Sequence, residues 1–158
     1  MLAAVCILCG AALVYPVTAL TVRPTGGGLP FLARTAAPGD ALRIAWIHTV
    51  SNRPVSELYA VDKENRLCLR EMVFDEIGPG MPAYPEDGTT WRFADGKITA
   101  TGYNRCFARL HTATSPMPHR IEMRKTVWDL LAKIGPDRLI CIAVERIPLI
   151  LILLTWIR

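Results

Sequence analysis

Charged side chains are absent from the first 22 residues of this chain. All 18 basic and 14 acidic residues lie from Arg23 onward. An apolar stretch of this kind is typical of a secretory signal or of a membrane anchor. Pro16 ends the apolar run, and Val17-Thr18-Ala19 then offers a cleavage point after Ala19. The two interpretations stay open, and both predict that a hydrophobic segment at residues 1–22 carries an extracytoplasmic domain at residues 23–158.

Several signatures of function are also missing. The net charge is only +4, and no basic stripe alternates with exposed aromatic residues, which argues against a nucleic-acid partner. Gly26-Gly27-Gly28 is not followed by Gly-Lys-Ser/Thr, so it is not a phosphate-binding loop. No Gly-x-Ser-x-Gly sequence is present. We therefore expect a protein that is not an enzyme and that holds no cofactor or metal.

Cysteine is sparse, with five residues in all. Cys6 and Cys9 lie in the apolar amino-terminal run. Cys68, Cys106 and Cys141 lie in the domain, where they allow at most one internal disulfide and leave one thiol over. We interpret the domain cysteines as small buried apolar residues rather than as redox or metal groups, with their disulfide state open.

Apolar residues recur with a period of two in residues 42–50, 55–61 and 67–74, which predicts β-strands. Asp95-Gly96 is typical of a two-residue type I′ hairpin turn. Thr126 and Gly135-Pro136 bracket the one helical pattern, at residues 126–134. Further strands are predicted at residues 20–22, 106–111, 119–124 and 139–144.

The uncharged tail at residues 147–157 is too short to span a bilayer as a helix. We expect it to be a last strand, with a membrane-surface contact or docking on a partner as the alternatives. The fold class predicted from these patterns is mainly β. It is a single antiparallel sandwich or barrel of about seven to eight strands, with one short helix, preceded by the hydrophobic segment.

The strongest candidate site comes from strand register. If residues 51–54 form the turn between the first two long strands, His48 faces Glu57. Val50 then faces Val55 and Trp46 faces Tyr59, and all six side chains share one face of the sheet.

The same arithmetic extends to the third strand. If Val61 faces Leu67, then Tyr59 faces Leu69 and Glu57 faces Glu71. His48, Glu57 and Glu71 would lie side by side. This cluster could be a structural pair that fixes the hairpin, a ligand or partner site, or a metal or acid–base site. His111 and His119 show no metal-ligand spacing and receive no role.

These residues resemble the family called domain of unknown function 1850. The resemblance rests on Gly39-Asp40, His48-Thr49-Val50, Pro54-Val55, Glu57, Glu71, Phe74 and Gly78-Pro79-Gly80-Met81-Pro82. Thr49 stands where the family usually has serine. The resemblance runs from about residue 20 to residue 148, and the apolar tail after Pro148 is not a feature that it leads us to expect.

The resemblance implies a small protein outside the cytoplasm, encoded beside TAXI-type tripartite (TRAP) transporters. The expected partner is therefore a transporter permease or solute-binding subunit, with membrane attachment through the amino-terminal segment. The expected ligand or partner surface comprises His48, Glu57, Glu71, Gly78, Gly80 and Pro82. The alternative is a metal-dependent binding protein or enzyme that uses His48, Glu57 and Glu71.

Overall fold

The computed structural model describes residues 13–157. These residues form eleven strands and two short helices. The strands are β1 (Pro16–Pro24), β2 (Leu32–Thr35), β3 (Ala41–Ile47), β4 (Pro54–Val61), β5 (Leu67–Phe74), β6 (Thr90–Ala94), β7 (Lys97–Phe107), β8 (Leu110–Ala113), β9 (His119–Met123), β10 (Thr126–Asp129) and β11 (Leu139–Pro148). The helices are α1 (Leu130–Ile134) and α2 (Leu149–Ile157).

The strands form two antiparallel sheets. One sheet has seven strands in the order β10-β9-β3-β4-β5-β7-β6, and the other has four in the order β2-β1-β11-β8. Leu20 and Val22 of the smaller sheet share one buried apolar cluster with Leu42 and Ile44 of the larger sheet. The sheets therefore pack face to face. The mainly β prediction is confirmed, but both sheets are open, so the fold is not a closed barrel, and it has more strands than expected.

The first strand is longer than its sequence pattern predicted. Residues 20–22 lie within β1, which pairs with β11 over nine residues, from Pro16 opposite Pro148 to Pro24 opposite Ile140. The predicted domain boundary at residue 22 thus falls inside a strand of the folded domain. The apolar residues 1–12, with Cys6 and Cys9, lie outside the described residues. Within residues 13–157, no helix is both long enough and apolar enough to cross a bilayer.

The Asp95-Gly96 turn is confirmed. Ala94 pairs with Lys97, and the two turn residues have φ values of 52° and 68°. A type I′ turn needs positive φ at both central positions, so this dipeptide determines the hairpin locally. The predicted strands at residues 119–124 and 139–144 correspond to β9 and β11. The strand predicted at residues 106–111 is wrong, because those residues contain the end of β7, a turn and the start of β8.

The helix predicted at residues 126–134 is only half right. Residues 126–129 form β10, which pairs with β9 so that Thr126 faces Met123. The helix begins after Asp129, whose carboxylate accepts a hydrogen bond from Ala132 N–H at 3.1 Å. Gly135 ends it as predicted, with φ of 87°. Pairing with an adjacent strand has overridden a helical spacing of apolar residues.

The tail is a helix and not the expected last strand. The antiparallel ladder between β1 and β11 ends at Pro148, and α2 follows directly. This helix packs on Ala19 and Ala33, on the outer face of the smaller sheet. The Thr155 hydroxyl accepts a hydrogen bond from Ala33 N–H at 3.2 Å. Because β2 is an edge strand, this contact also covers a backbone group that would otherwise be free to pair with another chain.

Truncation within β1 tests whether cleavage after Ala19 is compatible with this fold. A chain that begins at Leu20 loses four residues of the ladder with β11, including the fully buried Ala19. At about 1 kcal/mol per hydrogen bond plus the lost burial, we expect a loss of roughly 3–5 kcal/mol in unfolding free energy. Urea denaturation of this chain and of one beginning at Leu13 measures the difference. Equal stabilities would contradict the expectation.

Candidate functional site

A cavity of about 540 Å³ lies between the inner face of the larger sheet and strand β8. The β3, β4 and β9 side chains that line it include Trp46, Glu57, Tyr59 and His119. All three histidines of the chain are on its wall. The remaining polar lining residues with ionisable or phenolic side chains are Glu86, Tyr103 and Arg105, beside apolar groups that include Leu69, Met72, Phe107 and Leu110.

The register predicted for the β3–β4 hairpin is wrong. The turn has six residues, 48–53, and not four, so Trp46 faces Val55, Ile44 faces Glu57 and Leu42 faces Tyr59. Each predicted partner is thus displaced by an even number of residues, which keeps it on the same face of the sheet. Glu57 and Tyr59 consequently point toward the cavity side, as expected.

His48 lies in this turn and not opposite Glu57. Its backbone N–H donates to the Arg53 carbonyl at 2.8 Å, and its Nδ1 is 3.2 Å from the Ser51 hydroxyl. The predicted His48–Glu57 pair across the ladder is therefore not formed. Both side chains nevertheless line the same cavity, with His48 contributed by the loop.

Glu71 does not join the cluster. The predicted pairs Val61–Leu67 and Tyr59–Leu69 are confirmed, but Leu58 and not Glu57 faces Glu71. The register shifts because Arg70 is an extra residue in β5, a bulge that moves the following side chains to opposite faces. Glu71 is therefore on the face of β5 that points away from the cavity, and it is not among the lining residues.

The Gly78–Pro82 loop contributes only Pro82 to the cavity wall. Gly80 has φ of 79°, a backbone conformation that favours glycine, and the Met81 N–H closes a turn on the Gly78 carbonyl at 3.0 Å. A side chain at Gly78 would point toward Ser51, with 3.9 Å between the two Cβ atoms. The two glycines shape the loop, and the binding role predicted for them has no contact with the cavity to support it.

The loop continues to residue 89 and is fastened to β7 at two places. Glu86 forms an ion pair with Arg105. Gly102 has φ of 85°, and a Cβ atom there would lie 2.5 Å from the Gly88 carbonyl oxygen. Glycine at position 102 therefore permits the close approach that brings this loop, and Glu86 with it, to the cavity wall.

Glu57 and Tyr59 form the polar centre of the cavity wall. The Tyr59 hydroxyl donates to Glu57 Oε2 at 2.6 Å. Burial raises the pKa of Glu57, although the Tyr59 hydrogen bond and the nearby Arg105 oppose this change. Burial and the adjacent Glu57 carboxylate also raise the pKa of Tyr59. The pair therefore favours a neutral hydroxyl and a carboxyl that gains a proton more readily than an exposed one.

His119 is the main residue of the site that sequence reasoning missed. It is only 4% exposed, and its Nε2 has no hydrogen-bond partner among residues 13–157. Burial lowers its pKa, while Asp129 opposes the change. The signal available in the sequence was its position in β9, where His119 alternates with the buried Ile121 and Met123 and so faces inward.

A metal site is not preformed in this cavity. Among the described residues, one group of His, Cys, Asp and Glu side chains has ligand atoms within 4.8 Å of one another, and it comprises Asp62, Cys68 and Cys106. These two cysteines form a disulfide between facing positions of β5 and β7, a state that the sequence left open. Cys68 is buried as expected, but the interpretation as a buried residue is wrong for Cys106, which is exposed. Cys141 is free and buried, as expected.

The structure defines a two-sheet β domain with an open cavity between its sheets. A family model described as "Domain of unknown function (DUF1850)" matches residues 42–130, more than half of the chain, and the chain belongs to this family. The matched region begins in β3 and ends at the start of α1, and it contains every ionisable residue of the cavity wall. No curated protein and no solved structure matches the chain.

Replacing Gly102 with alanine should displace the loop that ends at residue 89. The added Cβ atom would lie 2.5 Å from the Gly88 carbonyl oxygen, which is closer than such atoms approach, and alanine is also strained at this positive φ. We therefore expect the free energy of unfolding to fall by about 2–4 kcal/mol. Gly96→Ala is the matched control, since its Cβ atom would meet nothing within 4 Å and only the strain at φ of 68° applies. Hydrogen exchange of residues 76–89 should accelerate in the first variant alone.

Glu57→Gln should change the pH dependence of stability in a defined direction. Because the folded pKa of Glu57 lies above its ordinary value of 4.5, the contribution of Glu57 to wild-type stability falls as the pH rises from that value through the folded pKa. Glutamine carries no proton to lose, so the stability of the variant relative to wild type should increase from pH 4 to pH 7. Thermal denaturation across this range measures it, with Glu71→Gln as the control on the opposite face. A relative stability that falls with pH would contradict the assignment.

Proposed function

We propose that this protein is a non-enzymatic binding protein outside the cytoplasm, accessory to a TAXI-type TRAP transporter, and that the cavity is its ligand site. The ligand class is a small organic solute with at least one polar group. The expected partner is the transporter permease or its solute-binding subunit. The observation that carries the binding role is His119, whose side chain lines the open cavity and whose buried Nε2 has no hydrogen-bond partner among residues 13–157.

A buried polar atom without a partner costs free energy, on the order of 1–3 kcal/mol. His119 Nε2 has no hydrogen-bond partner among residues 13–157, and an ordered water or a polar group of a bound solute that hydrogen-bonds this atom would remove the cost. The cavity volume of about 540 Å³ is within the range of small-molecule sites, roughly 300–1,000 Å³. A polar solute in the cavity would therefore satisfy an atom that contacts among the described residues leave without a partner.

The lining suggests how such a solute would be held. Arg105 pairs with Glu86 through Nη2, and the remaining N–H groups of its guanidinium can donate to a carboxylate of the solute. Glu57 and Tyr59 can exchange hydrogen bonds with a hydroxyl or amide, and Trp46 and Phe107 provide apolar walls. This combination favours a small organic acid over a fully apolar molecule.

Two features support a location outside the cytoplasm. The Cys68–Cys106 disulfide is a bond that persists mainly in oxidising compartments. The uncharged residues 1–22 have the composition of a signal or anchor. The transporter association itself is supported only by what the family resemblance implies.

The alternative is a metal-dependent binding protein or enzyme. Three imidazoles and Glu57 line one cavity, and these are the side chains that divalent transition metals prefer. Glu71 no longer belongs to this set, because it is on the other face of β5. Metal analysis of the purified protein distinguishes this alternative, since retained metal that is lost in His119→Gln would favour it.

Co-purification from the native host tests the proposed partner. The tagged full chain, extracted in mild detergent, should retain a transporter permease or solute-binding subunit. A chain that purifies alone would contradict the accessory role.

Thermal denaturation with a panel of small organic acids tests the cavity. Arg105→Gln should weaken binding by about tenfold or more, because a charge-assisted hydrogen bond contributes roughly 1.5–3 kcal/mol. Arg92→Gln is the matched control, an exposed arginine on β6 that does not line the cavity. Equal affinities of the two variants would contradict the assigned site.

A further inference from the structure

Helix α2 is almost entirely apolar, with Thr155 as its one polar residue. Its nine residues, Leu-Ile-Leu-Ile-Leu-Leu-Thr-Trp-Ile, contain no charged side chain. A helix of this composition is stable in water only when it is covered all round, in a protein core or by a membrane. At 1.5 Å per residue it is about 14 Å long, less than half of the roughly 30 Å hydrocarbon core of a bilayer. It can lie along a membrane surface but cannot cross it.

Only one side of α2 is covered by the domain. Ile152 and Thr155 are buried against the smaller sheet. The opposite side exposes Leu153, Leu154, Trp156 and Ile157, with Trp156 69% and Ile157 83% exposed. The fold therefore fixes the helix in place and leaves its most apolar groups in contact with solvent.

The amino-terminal part of the chain enters the domain at the same place. The Leu149 N–H at the start of α2 donates to the Tyr15 carbonyl at 3.1 Å, and the side chains of Val14 and Tyr15 are exposed beside it. The uncharged residues 1–12 precede this point in the sequence. In the sequence, the uncharged residues therefore lead to Val14 and Tyr15, beside the start of α2.

Basic groups border this surface. The Arg34 guanidinium lies over the Trp156 ring, 5.9 Å from its centroid. Lys133 and Trp156 line one shallow hollow, and no acidic residue lines it among those described. Arg158 follows the helix in the sequence. Tryptophan bordered by lysine and arginine is the composition that segments at a membrane interface adopt.

We infer that α2, together with Val14, Tyr15, Arg34 and Lys133, forms a surface that rests on an anionic lipid bilayer. The exposed leucines and Ile157 enter the boundary between headgroups and acyl chains, Trp156 sits at headgroup level, and the cations meet lipid phosphates. This contact is separate from the cavity, because α2 covers β1 and β2 while the cavity lies against β8 at the other edge of the same sheet.

Fluorescence quenching by brominated lipid tests the contact directly. The full chain is mixed with vesicles of phosphatidylcholine and phosphatidylglycerol with brominated acyl chains, and its four tryptophans are monitored together. Trp156→Phe isolates the exposed ring. Because Trp156 would be the indole at the interface, quenching should fall at least about threefold in this variant. Equal quenching of both chains would overturn the inference, even if residues 1–12 bind the vesicle by themselves.

Charge substitution gives a second readout. Leu153→Glu should weaken flotation with the anionic vesicles by about tenfold, because a carboxylate at an apolar interface is costly. Phe93→Glu is the control, since Phe93 is 70% exposed on β6 of the other sheet. Equal losses in the two variants would show nonspecific repulsion and would overturn the inference.

The remaining outcomes identify other occupants. If residues 1–12 cover α2, Trp156 stays unquenched. If a second copy of the chain covers it, Trp156 also stays unquenched and the apparent size of the protein depends on concentration. Either result overturns the lipid assignment. Undiminished binding to pure phosphatidylcholine overturns the part played by Arg34 and Lys133. Arg105→Gln should bind vesicles like wild type. A failure of the vesicle test would therefore leave the proposed cavity site standing, and a failure of the cavity test would leave the lipid contact standing.

Discussion

The antiparallel pairing of β1 with β11 is the constraint on which the rest of the molecule depends. These strands come from opposite ends of the chain and are bonded over nine residues in the centre of the smaller sheet. Without this pairing β2 and β8 would have no neighbour, and the apolar face of the larger sheet would be open to water. Thr21 is fully buried in the same ladder, so even its polar side chain is held inside the fold. The pairing also determines where the cavity and α2 can lie, because β11 leads to the helix and positions β8.

The cavity follows from a difference in size between the sheets. Seven strands face four, and β8, the edge strand nearest the cavity, has only four residues. The smaller sheet therefore cannot cover the inner face of the larger one completely. Apolar side chains fill most of the space between the two sheets, and Glu57, Tyr59 and His119 line the part that remains open. Buried polar groups normally pair with one another, and Glu57 and Tyr59 do so, while His119 Nε2 has no partner in the part of the chain that the structure describes.

Some features set by a few neighbouring residues could be predicted from the sequence, although the length of the β3–β4 turn could not, and features set by distant contacts could not be predicted. The Asp95-Gly96 turn and the Val61–Leu67 register follow from local turn chemistry and from strand alternation, and both are confirmed. The Arg70 bulge carries no such local signal, and it alone removes Glu71 from the site. Residues 126–129 satisfy a helical spacing, but they form a strand because β9 offers them a hydrogen-bonding edge. For the candidate site, the pattern gave the correct face for Glu57 and missed His119, which reaches the cavity only through the pairing of β9 with β3.

The two ends of the smaller sheet offer different surfaces. At the β2 end, α2 seals the edge through Thr155 and exposes an apolar side with cations around it. At the β8 end, the sheet leaves the cavity open, with Arg105 and Glu86 across from it. The two surfaces lie at opposite edges of the sheet, so if the first surface rests on lipid, the second is held away from the bilayer. A solute or a transporter subunit could then reach the cavity while the domain stays attached to the membrane. The nine-residue ladder of β1 and β11 lies between these two edges and joins them in one sheet, so attachment would orient the cavity as well as localise it.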